Sequence, residues 1–115
     1  MTRFAEWWQA NERGEPRLYV VAEMANAHDG SLDRAMDIVA VAASAGADAI
    51  KFQNYTADRL VTRQAPVYWD VPGAEKVSTQ YELFSKLDGL PLEIYYDMMR
   101  LAEELGIEMF SPPFS

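Results

Sequence analysis

The spacing of apolar residues predicts that strands and helices alternate along most of the chain. Residues 18–23 form a short apolar run with β-branched and aromatic side chains, and residues 47–53 form a second run of similar length, so both are typical of buried strands. Between them, Ser31 is placed to cap a helix with apolar residues at helical spacing, and Gly46 suits the left-handed residue after a helix end. A strand, a helix and a strand with short connections predict a parallel βαβ unit with a right-handed crossover.

The second half of the chain has one long irregular stretch and then returns to the same alternation. Residues 54–78 show no steady period, which predicts a long loop, and residues 79–87 fit a short helix. Pro91 suits the first turn of a longer helix with an apolar stripe, and Gly106 ends that helix. Residues 107–111 then form a third predicted strand, which two consecutive prolines terminate.

This order of elements is compatible with two α/β architectures. One is a small open sheet, and the other is the N-terminal portion of a (β/α)8 TIM barrel with its first three strands. A complete barrel takes about 250 residues, so a chain of 115 residues can supply only part of one. A nucleotide-binding open sheet has a glycine-rich loop after its first strand, whereas residues 24–30 contain a single glycine. The barrel portion is therefore the expected fold class.

Residues 1–17 are predicted to form an N-terminal arm, which leaves residues 18–115 as the barrel portion. The arm mixes aromatic and charged residues and ends in a Gly-Glu-Pro breaker. A short helix and a docking arm fit this pattern equally well. The adjacent Trp7 and Trp8 favour packing against another surface, because large apolar rings seldom stay exposed without reason.

Composition and charge exclude several classes of function. Half of the residues are hydrophobic and 24% are charged, as in a globular domain, and no apolar run approaches the length of about 20 residues that a membrane-spanning helix needs. The formal net charge of −8 does not fit binding to a row of phosphates, so nucleic acid is not an expected partner. The chain lacks cysteine and has one histidine, which excludes disulfides, a thiol nucleophile and a multi-histidine metal site made by this chain alone. We expect a cytoplasmic protein.

Polar residues stand where the predicted parallel strands end. Along the second strand, Lys51 and Gln53 share one face, whereas Ile50 and Phe52 share the other and suit the side that helices cover. Glu23 ends the first strand in the same way. Ligand sites of parallel α/β folds lie at the carboxyl ends of the strands, so we expect Glu23, Lys51 and Gln53 to converge at one edge of the sheet.

The side chains at this edge have complementary chemistry. The Lys51 ammonium can neutralise phosphate or carboxylate oxygens, and the Glu23 carboxylate can transfer a proton or hold a sugar hydroxyl. Gln53 can donate and accept hydrogen bonds at once, which suits a polyol or an amide. Ser111 ends the third strand and His28 lies in the loop after the first, so both are further candidates for ligand contact. A structural or solvated role is the alternative for each residue, and it fits Lys51 least well, because lysine is rarely buried unless paired.

Four segments of the chain resemble the sialic acid synthase family, the N-acetylneuraminate synthases. They occur in the family's order and spacing and span most of residues 18–115. The segments are Val21-Ala22-Glu23 through His28-Asp29-Gly30-Ser31-Leu32, Ala45-Gly46-Ala47-Asp48-Ala49-Ile50-Lys51-Phe52-Gln53, Gln80-Tyr81-Glu82-Leu83, and Gly106-Ile107-Glu108 followed by Ser111-Pro112-Pro113-Phe114. Any one segment alone is a weak match, whereas four in sequence are a strong one.

The resemblance implies a fold, a reaction and a set of partners. Members of the family are TIM barrels, usually followed by a small antifreeze-like domain. They condense phosphoenolpyruvate with an N-acetylated mannosamine or a related amino sugar, and the products are a nonulosonic acid and phosphate. A divalent metal, Mn or Mg, is held by two histidines on later barrel strands, so its ligands are not expected in this chain. The complete enzyme is expected to be a homodimer.

The resemblance also implies roles for individual residues. Lys51 would bind phosphoenolpyruvate, and Glu23 and Gln53 would contact the sugar, with Glu23 as a candidate for proton transfer. Lys51 and Glu23 are thus the expected catalytic residues. The expected substrate-binding residues are Lys51, Gln53, His28, Asn26, Tyr81 and Ser111.

The chain departs from the family pattern at four positions. Ala25 stands where the family commonly has glycine, and Ala27 directly precedes the loop histidine. Pro112 replaces a threonine expected near the phosphate, and Ala74 stands nearest to a sugar-binding asparagine. The alternatives are therefore a pseudaminic or legionaminic acid synthase, or a truncated, non-catalytic relative that binds a sugar or a phosphate. Because three strands leave an open sheet edge, we expect the N-terminal part of a longer synthase, inactive by itself.

Overall fold

The computed structural model describes residues 1–70, 72, 76–87 and 90–114 as two compact units. The sheet unit comprises Met1–Gln53 with Leu90–Ser111, and the loop unit comprises Asn54–Gly89 with Pro112–Ser115. In chain order, the elements are α1 (Arg3–Glu12), β1 (Val21–Ala25), α2 (Leu32–Ser44), β2 (Ala49–Phe52), α3 (Ala57–Leu60), α4 (Gln80–Leu87), α5 (Leu92–Glu104) and β3 (Glu108–Phe110).

The sheet unit is built on a parallel sheet with the strand order β1-β2-β3. This confirms the predicted βαβ unit and the third strand, although each strand is shorter than the apolar run that predicted it. β1 starts at Val21 rather than at residue 18, because the Val20 N–H donates to the Asp48 side chain (2.9 Å) instead of to a strand partner. A bulge between Glu23 and Ala25 then carries β1 beyond its predicted end.

The two long helices of the sheet unit end where the sequence predicted and begin within one residue of the predicted position. The Ser31 hydroxyl accepts a hydrogen bond from the Arg34 N–H (3.2 Å) at the start of α2. Gly46 follows that helix with a φ of 88°, and Gly106 follows α5 with a φ of 75°. Both glycines thus occupy the left-handed conformation that ends a helix at little cost. Pro91 is the residue immediately before α5, one position outside its first turn.

The core lies between one face of the sheet and the helices α2 and α5. Its buried residues include Met24, Ile50, Phe52, Val39, Ala42, Tyr95, Met98 and Ala102. The prediction that Ile50 and Phe52 face the helices is confirmed. The expectation that the first strand is wholly buried is wrong, because Val21 is 40% exposed on the opposite face. Phe110 of β3 lies on this open face too and is 43% exposed.

The N-terminal segment forms a helix, α1, against the amino ends of the strands. The Arg3 guanidinium pairs with Asp48 (3.3 Å), and the Phe4 N–H donates to Glu108 (3.2 Å). The Trp7 indole N–H donates to the Arg17 carbonyl (2.7 Å). Its ring contacts the rings of Phe4 and Tyr19, which confirms the packing role expected for it. Trp8 contacts neighbouring aromatic rings but is half-exposed. The division of the chain after residue 17 stays a prediction.

The loop unit contains the long irregular stretch and the predicted short helix, here α4. It also contains α3, a single turn that the sequence analysis did not predict. Pro66 and Thr79 form an isolated antiparallel bridge, and the Arg63 guanidinium lies 4.6 Å from the centre of the Tyr81 ring. Ala74, the position compared with a sugar-binding asparagine, lies outside the described residues. Among the described helices, none is long and apolar enough to cross a bilayer.

Candidate active site

The carboxyl ends of β1 and β2 bring Glu23 and Lys51 into contact. The two residues are partners in the parallel register, on the open face of the sheet. Lys51 Nζ lies 3.1 Å from Glu23 Oε2, and the side chains are 35% and 47% exposed, respectively. The expected convergence of a cation and a carboxylate is therefore observed, and both groups are accessible to a ligand.

The second carboxylate oxygen of Glu23 is held by the backbone. Glu23 Oε1 accepts a hydrogen bond from the Ala25 N–H (3.1 Å), and Ala25 has a φ of 46°. The left-handed conformation costs a non-glycine residue roughly 1–2 kcal/mol. This is the position at which the resemblance led us to expect glycine, and the positive φ gives the physical reason for that residue type.

An amide pair lies at the same carboxyl edge of the sheet, just after β1 and β2 end. Asn26 Nδ2 donates to Gln53 Oε1 (3.3 Å), and the Gln53 backbone carbonyl accepts a hydrogen bond from the Tyr95 hydroxyl (3.4 Å). Asn26 Oδ1 is buried and has no hydrogen-bond partner among the described residues. The structure thus joins two of the sequence-predicted binding residues, which both lie at the carboxyl edge of the sheet.

His28 is buried within the loop that follows β1. It is 2% exposed, and its Nδ1 accepts a hydrogen bond from the Gly30 N–H (3.1 Å). Burial lowers the pKa of the imidazole, against the opposing effect of the neighbouring Asp29 carboxylate. The side chain therefore bonds to its own loop rather than to Glu23 or Lys51, and its role as a direct ligand stays a prediction.

The remaining two predicted residues occupy different places. Ser111 directly follows β3, one residue after Phe110, which is the register partner of Lys51. Since all three strands are parallel, Ser111 stands at the same edge of the sheet as Lys51. Tyr81 belongs to α4 in the loop unit, where the guanidinium of Arg63 covers its ring.

A second polar cluster, which the sequence patterns did not predict, lies at the amino ends of the strands. The Tyr19 hydroxyl donates to Glu108 (2.5 Å), whose carboxylate also accepts the Phe4 N–H. Asp48 binds the Val20 N–H and the Arg3 guanidinium. A local signal was present, because Asp48 and Glu108 each stand two residues after the glycine that ends a helix. In this pattern an acidic side chain comes at the start of a strand.

The charge states of this cluster fit a structural role. Burial, and then the bond to Glu108, raise the pKa of the Tyr19 hydroxyl. Burial alone would raise the pKa of the Glu108 carboxyl as well, but hydrogen bonds from Tyr19 and from the backbone of Phe4 outweigh it and lower that pKa. Glu108 is thus a stable anion that anchors α1, at the end of the sheet opposite to Lys51.

Comparisons with known proteins show the family to which this chain is similar. The NeuB family model matches residues 38–115. The N,N'-diacetyllegionaminic acid synthase of Legionella pneumophila is 38% identical over 97 residues, which cover 84% of this chain and 27% of that protein. The pseudaminic acid synthase of Campylobacter jejuni is 32% identical over 106 residues, 91% of this chain and 31% of that protein. The chain therefore spans less than a third of the length of these relatives.

Two solved structures are similar to this fold. The N-acetylneuraminic acid (sialic acid) synthetase of Leptospira borgpetersenii superposes with a TM-score of 0.64 at 22% identity, over 85% of this chain and 30% of that one. The spore coat polysaccharide biosynthesis protein SpsE of Bacillus subtilis has a TM-score of 0.57 at 29% identity, over 84% of this chain and 24% of that one. The structural likenesses support the fold, and the matches to sequence relatives confirm the resemblance that the four sequence segments carry. The family match over more than half of the residues shows that the chain belongs to the NeuB family.

Proposed function

We propose that this chain is the N-terminal portion of a (β/α)8 barrel enzyme that condenses phosphoenolpyruvate with an N-acetylated amino sugar. The product is a nonulosonic acid, and phosphate is released. The observation that carries the proposal is the Glu23–Lys51 pair, because it joins an anion-binding ammonium to a carboxylate at the carboxyl ends of parallel strands. This is the edge at which barrel enzymes hold their substrates.

The exposed surfaces of the sheet unit support a larger barrel. The open face carries the half-exposed side chains of Val21 and Phe110, at positions that a closed barrel would enclose. Among the described residues β3 pairs with β2 alone, so its outer edge is an unprotected strand edge. A groove of about 780 Å³ runs beside β3 and includes the apolar side chains of Phe4, Tyr96 and Met99. A further strand and helix would cover both features.

The reaction makes specific demands on the two charged residues. Its atoms balance when the methylene carbon of phosphoenolpyruvate bonds to the sugar aldehyde carbon, the aldehyde oxygen gains a proton, and one water is consumed as phosphate leaves. Lys51 binds the anionic phosphoenolpyruvate and stabilises the negative charge that develops on oxygen. Glu23 takes a proton from the water that is consumed and passes it to the aldehyde oxygen, and its contact with the Ala25 N–H holds the carboxylate in position for that transfer.

The amide pair is the proposed sugar-binding part of the site. Asn26 and Gln53 offer amide donors and acceptors, the complement of acetamido and hydroxyl groups. Ser111 and Tyr81 are further proposed substrate contacts, which the family resemblance suggests. The proposed enzyme is a cytoplasmic homodimer.

The proposed enzyme uses a divalent metal, Mn or Mg. No group of three or more His, Cys, Asp or Glu side chains in the described ranges is arranged to hold such an ion. The described residues therefore do not fit a metal site, and the ligands are proposed to be the two histidines on later strands that the resemblance implies. No step assigned to Glu23 or Lys51 passes through the metal.

The full-length protein provides the test of this proposal. Phosphate release from phosphoenolpyruvate should require both an amino-sugar acceptor and a divalent metal. Lys51→Ala should abolish this release, whereas Lys76→Ala, at an exposed lysine of the loop unit, should leave it unchanged. Near-normal turnover by the Lys51 variant would remove Lys51 from the mechanism, and binding without turnover in the unmodified protein would favour a non-catalytic relative.

The acceptor sugar could also be that of a legionaminic or a pseudaminic acid synthase instead of N-acetylmannosamine. The 38% identity to the legionaminic acid synthase favours a hexose with two acetamido groups, because the product of that relative carries two N-acetyl groups. The 32% identity to the pseudaminic acid synthase points instead to the acceptor of that enzyme. Turnover with N-acetylmannosamine and with diacetamido hexoses of different stereochemistry, compared as kcat/KM, separates these candidates.

A further inference from the structure

The β1–α2 loop, residues 26–31, is a chain of tight turns around one buried side chain. The N–H groups of Ala27, Asp29 and Ser31 each donate to the carbonyl three residues earlier, at 2.9–3.1 Å. The Gly30 N–H donates instead to His28 Nδ1 (3.1 Å). The His28 side chain therefore accepts a loop N–H, that of Gly30, while it is itself 2% exposed.

The conformation of this loop requires support from outside the backbone. Asp29 has a φ of 52°, and Ala25, at the end of β1, has a φ of 46°. Both residues are strained relative to ordinary turns, and such conformations persist when surrounding contacts fix them. The ion pair of Asp29 with Arg34 is long (3.9 Å) and exposed, so it supplies little of that support. The buried imidazole and its bond to Gly30 are the stronger contact.

Two residues of the proposed site, Glu23 in β1 and Asn26 at the start of this loop, depend on the shape of the loop. Glu23 is held by the Ala25 N–H, and Asn26 is held against Gln53. We infer that His28 is a positioning residue, which by its burial and its bond to Gly30 fixes the β1–α2 loop and so directs Glu23 toward Lys51 and Asn26 toward Gln53. This inference rests on the proposed function for its catalytic consequence, and it replaces the role of His28 as a direct substrate ligand.

The inference specifies one protonation state of the ring. Since Nδ1 accepts the Gly30 N–H, it carries no proton, and the neutral imidazole must carry its proton on Nε2. Nitrogen-15 NMR of the unliganded, full-length protein measures this directly, with the His28 signals assigned by their loss in His28→Asn. An Nε2–H tautomer is expected, and an Nδ1–H tautomer would overturn the inference. This readout requires no enzymatic activity, so it stands even if the proposed function fails.

Substitution tests the positioning effect. His28→Leu keeps an apolar side chain of similar bulk but removes the acceptor, and we expect kcat to fall about 100-fold, the loss typical of a small misplacement of reacting groups, with the KM for phosphoenolpyruvate little changed. His28→Asn restores an acceptor near the position of Nδ1 and should recover most of the lost kcat. Equal losses in the two variants would overturn the inference.

A matched variant separates positioning from general destabilisation. Val39→Ala removes buried atoms from α2 in the same unit without touching the loop, so it should lower the melting temperature and leave kcat unchanged. Hydrogen exchange at the Ala25 and Gly30 amides should accelerate in His28→Leu and not in Val39→Ala. Exchange that rises equally in both variants would show that His28 acts only through overall stability, and the inference would be wrong.

Discussion

Lys51 Nζ lies 3.1 Å from Glu23 Oε2, and the parallel register sets the two residues directly opposite each other on β1 and β2. Both side chains are between a third and a half exposed, and an ion pair in such a setting contributes only about 0–1 kcal/mol to folding. The stability that the pair provides is therefore small. The pair lies at the carboxyl edge of the sheet, where barrel enzymes place their active sites. The proposed role of the pair is therefore chemical rather than structural.

The first prediction is that removing the charge of Glu23 changes turnover much more than it changes the stability of the fold. Glu23→Gln in the full-length protein should lower the free energy of unfolding by less than about 1 kcal/mol but reduce turnover by about 100-fold or more, as expected for the loss of a proton-transferring group. Urea denaturation and phosphate release measure the two effects. Glu15→Gln, which breaks the exposed pair of Arg13 and Glu15, is the control and should leave turnover unchanged. A loss of unfolding free energy that matches the loss in turnover, when both are expressed as free energies, would contradict a catalytic role.

Ala25→Gly should stabilise the protein. Ala25 has a φ of 46°, which costs a residue with a Cβ atom roughly 1–2 kcal/mol, whereas the extra freedom of glycine in the unfolded chain costs about 0.4–1 kcal/mol. The net gain in the free energy of unfolding should be about 0.5–1 kcal/mol, measured by urea denaturation. Ala27→Gly is the matched control at an ordinary φ, and there glycine should destabilise. A loss of stability in both variants would show that Ala25 is not strained.

Local signals predicted the helices and the faces of the strands. Ser31, Gly46 and Gly106 each act within a few residues of their own position, so the bounds of α2 and the end of α5 were readable from sequence. The alternation along β2 likewise predicted that Ile50 and Phe52 face the helix layer and that Lys51 faces away from it. Gln53 follows the last residue of β2, so its place on the same face as Lys51 stays a prediction. These features depend on side-chain periodicity and on capping, which need no knowledge of distant contacts.

Long-range contacts account for what the sequence did not reveal. The start of β1 depends on a bond from the Val20 N–H to Asp48, which lies far along the chain. The sequence left open whether the N-terminal segment is a helix or a docking arm. In the structure it is a helix, and the Phe4 N–H at its start donates to Glu108, which lies far along the chain. The burial of His28 follows from how its loop folds back, and no local pattern distinguishes a buried loop histidine from a solvated one. The family resemblance supplied the proposed acceptor class, which local chemistry alone left open.

Glu108 should make the stability of the protein depend on pH in acid. Its hydrogen bonds lower the pKa of the carboxyl below its ordinary value of 4.5, so the unfolded chain takes up the proton first as the pH falls. The stability that Glu108 contributes is therefore complete above pH 4.5 and is lost as the pH falls through the lower, folded-state pKa. Denaturant melts between neutral pH and about pH 3 should show this loss.

Variants of the same cluster test the cause. Glu108→Gln should lower the free energy of unfolding at neutral pH by about 1–2 kcal/mol, because it weakens bonds to a charged acceptor, and it should also flatten the decline in acid. Tyr19→Phe removes one of those bonds and should flatten the decline in part. Glu104→Gln, on the exposed end of α5, should leave the decline unchanged. A decline that is equally steep in Glu108→Gln would assign it to other carboxylates.

His28 should produce a second pH dependence, closer to neutrality. Burial lowers the pKa of its imidazole below the ordinary value of 6.5, although the Asp29 carboxylate opposes this effect. Between those two pKa values the unfolded chain binds the proton and the folded chain does not, so stability is complete above pH 6.5 and falls as the pH falls toward the folded-state pKa. Protonation of Nδ1 would also break its bond to the Gly30 N–H, since a protonated nitrogen cannot accept. Urea melts between about pH 7.5 and pH 5.5 should show this decline in the unmodified protein and not in His28→Asn, whose amide does not titrate. Parallel declines in the two proteins would mean that His28 titrates alike in the folded and the unfolded chain.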